Sequence, residues 1–116
     1  MLQWAVLVFA IGAVGGLVLA SSVLRARLAP WWLSLLHAAL GATGLVLTAL
    51  VVFGKDAAPQ GASIALLLLV IAALGGFYLA SHHLRKHPGP KTVVVIHAGV
   101  AVVGFLLLAN AAFGLV

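Results

Sequence analysis

The residues of this chain best suited to do chemistry are His37 and His97. Each lies inside a long apolar stretch, where a polar side chain is costly, turns toward the protein interior and marks a functional position. Each is followed by alanine, and small residues lie one and two turns further on: Gly41 and Gly44 after His37, Ala101 and Gly104 after His97. The histidines are sixty residues apart, and sixty is the period of the chain. Ile11–Gly54 aligns on Ile71–Gly114 without a gap, with 17 of 44 positions identical. Gly15-Gly16 meets Gly75-Gly76, Leu24-Arg25 meets Leu84-Arg85, and Pro30 meets Pro90. A neutral imidazole offers one nitrogen lone pair to a metal. A repeat that sets two imidazoles at the same depth therefore supplies two equivalent ligands.

The kind of metal follows from what is missing. Zinc sites take three or four ligands from Cys, His, Asp and Glu. The membrane interior offers two imidazoles and no acid, and there is no cysteine in the chain. A porphyrin supplies four nitrogens of its own, so two axial imidazoles complete a hexacoordinate haem iron. One haem b between His37 and His97 is the expected cofactor. The small residues Gly41, Gly44, Ala101 and Gly104 are expected to let a flat macrocycle lie against the helices. Arg25 and Arg85, with Lys86 and Lys91, are expected near the membrane surface, where an arginine fork matches a propionate carboxylate.

The elements that must hold these histidines are membrane helices. The chain is 66% hydrophobic and 6% charged, against about 25% charged in soluble domains, so its solvent is lipid. Four apolar spans, about 2–24, 31–53, 62–84 and 91–113, each reach roughly 34 Å, enough to cross a hydrocarbon core of about 30 Å. The first span lacks a basic leader and is too long for a signal-peptide core, so it is read as a helix. Short loops make antiparallel hairpins. The fold expected is all-α: an integral membrane four-helix bundle, one transmembrane domain. It would be built from two tandem αα-hairpin repeats, residues 1–58 and 59–116, related by a pseudo-twofold axis along the membrane normal.

The net charge of +5 comes from residues in loops and forms no basic face, so nucleic acid is excluded as a partner. Arg25, Arg27, Arg85, Lys86 and Lys91 cluster at the first and third loops, while Lys55 and Asp56 cancel in the second. Positive loops stay cytoplasmic. Both termini are therefore expected outside, in a bacterial inner membrane. Trp31 and Trp32 fit one interfacial belt, and Trp4 the other.

Three more histidines, His82, His83 and His87, cluster at the end of the third span, where the first repeat has Ser22, Val23 and Arg27. A wet basic edge touching anionic lipid is the plain reading. Propionate contact, a proton path to a quinone, and ligation, with His83 as reserve ligand, are the functional ones. Asn110 is expected to bond a neighbouring helix. Asp56, the single acid, lies in a loop, which argues against a proton-coupled transporter.

With His37-Ala38, His97-Ala98 and the adjacent glycines in view, the chain resembles the membrane b-type cytochromes, of which the cytochrome b561 family is one. The resemblance implies a helical bundle with haem ligands on separate spans and a role in electron transfer. Members of that family usually carry two haems, one toward each face; this chain has no histidine in the outer half of any span. The function expected is that of an electron carrier rather than an enzyme, exchanging electrons with a quinone or a redox partner protein. Two other readings stay open. One is a cofactor-free accessory subunit of a larger complex, whose small residues and histidines only pack helices. The other is a protein binding chlorophyll-type pigments, one on each histidine. GxxxG spacing at Gly12 and Gly16 also suggests a homodimer.

Overall fold

The computed structural model describes residues 1–116. It contains four helices and no strands: α1 Leu2–Leu24, α2 Trp31–Val52, α3 Ala62–Leu84 and α4 Lys91–Phe113. In lipid a backbone must satisfy its own polar groups, and an uninterrupted apolar run does so as a helix. All four are long and apolar enough to cross a membrane. The protein is an integral membrane four-helix bundle, 44 Å long and 23 × 19 Å across. The second helix ends one residue before the expected boundary, with Phe53 as its C-cap; helix ends shift this much through fraying.

Around the bundle each helix touches its two neighbours, α1 with α2, α2 with α3, α3 with α4 and α4 with α1. The helices that carry His37 and His97, α2 and α4, are therefore diagonal, and their inner faces meet across the axis.

The packing is uneven along that axis. The buried cluster of Leu2, Ala5, Ala62, Ala65, Leu69 and Leu108 lies toward the end that holds both termini and the α2–α3 loop. Ala5, Ala62 and Ala65 are fully buried; side chains this small let helix backbones approach without a clash. Gln3 adds a polar tie there, its Nε2 donating to the Ala112 carbonyl at 2.9 Å. Toward the opposite end, where the α1–α2 and α3–α4 loops lie, the helices line a cavity. Large side chains such as Trp4, Leu17, Trp32, Leu67 and Phe77 cover the outside, as a lipid-facing surface requires.

Both loops at that end begin with the same turn. Arg25 caps α1, Ala26 adopts φ 55°, and the amides of Ala26 and Arg27 donate to the carbonyls of Val23 and Ser22. Sixty residues later Arg85 caps α3, Lys86 adopts φ 62°, and Lys86 and His87 donate to His83 and His82. This is the Schellman arrangement, which closes the last helical carbonyls. Its left-handed position normally takes glycine, and a residue with a Cβ costs about 1–2 kcal/mol there. Ala26→Gly should therefore stabilise the protein by about 0.5–1 kcal/mol, read as a higher unfolding midpoint in detergent; a lower midpoint would show that the turn is unstrained.

Candidate functional site

Each histidine is aimed by a bond to the helix beside it. His37 Nδ1 lies 2.8 Å from the Gly12 carbonyl of α1, and His97 Nδ1 lies 2.7 Å from the Ala72 carbonyl of α3. A carbonyl only accepts, so each Nδ1 carries the proton and donates, and each Nε2 keeps its lone pair. Metal-binding histidines are set up in this way, with one nitrogen fixing tautomer and ring angle and the other left for the metal. The two rings meet in an edge-type arrangement, with centroids 6.3 Å apart and planes at 81°.

Glycine makes these bonds reachable. A Cβ on Gly16 would stand 2.8 Å from Cε1 of His37, and one on Gly76 would stand 3.1 Å from Cε1 of His97. Each imidazole thus lies over one turn of the adjacent helix, from Gly12 to Gly16 or from Ala72 to Gly76. That spacing is the one expected to serve helix packing or a homodimer. The bundle uses it internally: Gly12 is buried against Leu40, and the half-buried Gly16 lies against His37.

The rings project into a cavity of ≈ 370 Å³, inside the range of roughly 300–1,000 Å³ typical of small-molecule and cofactor sites. Gly41 and Ala101 line it beside the histidines, as expected. Gly41 has open space where a Cβ would be. Gly44 and Gly104 do something else. Phe9 would lie 2.6 Å from a Cβ on Gly44, and Leu69 3.0 Å from one on Gly104. Phe9 and Leu69 are themselves sixty residues apart and form the apolar floor of the cavity. The two glycines therefore seat the floor and do not border the space above it.

The basic residues also divide. Arg25 and Arg85 are exposed, and each Nε donates to the Ser21 or Ser81 carbonyl of its own helix at 3.2 Å. Neither borders the cavity, whereas Arg27 and His87 both do. His83 lines it too, but with both nitrogens engaged. Its Nε2 donates to the Ala29 carbonyl at 2.7 Å, and its Nδ1 pairs with the Ser34 hydroxyl at 2.5 Å. The Trp31 ring packs edge-on at 5.1 Å. This ties α3 to α2 and to the first loop and leaves His83 no spare lone pair, so it is a clamp and not the reserve ligand expected. His82 bonds only to the Tyr78 carbonyl of its own helix, at 3.1 Å. Asn110 accepts from the Val116 amide at 2.9 Å and closes the chain's last turn, in place of the cross-helix bond expected of it.

The residues fit a particular kind of group. An imidazole nitrogen lies about 1.1 Å from its ring centroid and binds a metal at about 2.0–2.1 Å, so imidazoles on opposite sides of one metal have centroids about 6.3 Å apart. The observed separation is the same. No three His, Cys, Asp or Glu side chains converge in the protein, so side chains of these types offer a metal here at most two ligands. The hydroxyls that might have absorbed the histidines do not: Ser34 bonds His83, and Thr48 donates to the Gly44 carbonyl.

No protein-family model matches the chain, and no curated protein or solved structure matches it significantly. The functional reading rests on the geometry of the site.

Gly16→Ala should displace His37 from the Gly12 carbonyl and cost about 1–3 kcal/mol, the usual range for overpacking. Gly76→Ala, with more room, should cost less. Unfolding midpoints of the two variants check the order, and equal midpoints would mean the imidazoles do not lean on these glycines.

Proposed function

We propose that the chain is a membrane b-type cytochrome that holds one haem b between His37 and His97 and exchanges electrons with a quinone or a partner protein. The observation that carries this reading is the pair of imidazoles on diagonal helices, 6.3 Å apart at their centroids, each with Nδ1 committed to a carbonyl and Nε2 left over. When bound, the haem supplies a one-electron couple at the iron. The protein's own residues do the rest. Gly12 and Ala72 fix the ligand tautomers. Gly41 and Ala101 leave space for the macrocycle beside each helix. Phe9, Leu69 and Phe105, which line the cavity, would shield a cofactor there from water, and burial of this kind tunes potential.

The same distance weighs against one chlorophyll-type pigment on each histidine. Two stacked macrocycles between the rings need a further ~3.5 Å of van der Waals thickness. A cofactor-free packing role accounts for the histidine–carbonyl bonds but gives no reason for a cavity between the imidazoles. In the membrane, the basic loops are assigned to the cytoplasmic side of a bacterial inner membrane and both termini to the outside, by their lysines and arginines.

Absorption spectra of the detergent-purified protein, oxidised and dithionite-reduced, test this reading. A Soret band and a sharp α band on reduction are expected, and both should be lost in His37→Ala and in His97→Ala. A colourless protein that takes up no added haem would remove the proposal.

A further inference from the structure

We propose that Arg27 and His87 bind the two propionate carboxylates of that haem, one each, at the mouth of the cavity. The inference rests on the haem reading above and names the residues that orient the cofactor within the site.

Arg27 and His87 are sixty residues apart in the chain and stand in the two loops at the same end of the bundle. Both border the cavity. The matching Schellman turns put them there, because the amides of Arg27 and His87 reach back to Ser22 and His82 and fold each residue over its helix end. With those amides satisfied, the guanidinium and imidazole remain to meet a ligand. The chain's single acid, Asp56, lies in the α2–α3 loop at the opposite end.

The cavity itself is polarised. Of its lining residues, Phe9, Leu45, Leu69 and Phe105 lie well inside the helices, and Arg27 and His87 lie in the loops at one end. A ligand that fits must be apolar over most of its surface and acidic at one edge. Haem has that form, since its two propionates leave the same edge of the macrocycle. A charge-assisted fork from arginine suits one carboxylate, and an imidazole N–H suits the other. Arg25 and Arg85 are turned onto their own helices.

The test compares uptake of haem b with uptake of haem b dimethyl ester, whose carboxylates are blocked, by the full chain prepared without haem in detergent. Wild type should bind haem b at least about tenfold more tightly than the diester, the scale of a hydrogen bond to a charged group. In the Arg27→Ala/His87→Ala double variant that preference should fall to about one, with diester affinity unchanged. An Arg25→Ala/Arg85→Ala variant should keep it. If the Arg27→Ala/His87→Ala protein retains the wild-type preference, or loses affinity for both compounds equally, the assignment is wrong and the haem reading stands. Failure of wild type to bind either compound overturns the assignment together with that reading.

Discussion

The bond from each imidazole Nδ1 to a carbonyl on the neighbouring helix is the constraint on which the site depends. In water such a bond is worth little, because solvent competes for both partners. Inside a membrane bundle the imidazole has few alternatives, and cross-helix bonds there average about 0.6 kcal/mol and reach about 1–2 kcal/mol. More important than its strength is what it decides. It chooses the tautomer, sets the ring angle and leaves one lone pair pointing elsewhere. It also demands glycine at Gly16 and Gly76, since a methyl group there would meet Cε1 of the ring. Ring orientation and helix spacing are thus one property.

A second consequence is the division of the bundle into a packed end and an open end. Ala5, Ala62 and Ala65 draw the helices together near the termini. Toward the basic loops the imidazoles and their glycines hold the cavity between diagonal helices. The His83–Ser34 clamp closes one side of that end; the positions sixty residues away hold Val23 and Val94, which form no such bond. The two sides of that end therefore differ, polar between α2 and α3 and apolar between α1 and α4.

Much of this was legible in the amino-acid sequence. Uninterrupted apolar runs leave a membrane chain little choice but helices, so the four spans are placed to within a residue. The repeat made His37 and His97 equivalent before any coordinate was known. What the sequence hid were relations between helices. The period of 3.6 puts Gly41 and Gly44 on one stripe, yet it does not say that Phe9 covers the second and leaves the first open. The clustered charges do not reveal that Arg25 folds onto its own helix while Arg27 turns to the cavity. That difference arises in a left-handed residue, Ala26, whose type gives no hint of it. Gly16 and Gly76 carried a signal, the small-residue spacing, but the same spacing serves ordinary helix contacts.

The most direct test of the central claim is an EPR spectrum of the oxidised, haem-loaded protein at low temperature. Imidazole planes close to perpendicular, 81° here, leave two iron d orbitals nearly degenerate. The spectrum should then be low-spin, with a single broad feature at large g. A high-spin signal would mean that one histidine is not a ligand, and a rhombic three-line low-spin signal would mean that the planes are parallel. Either would contradict the site described for His37 and His97.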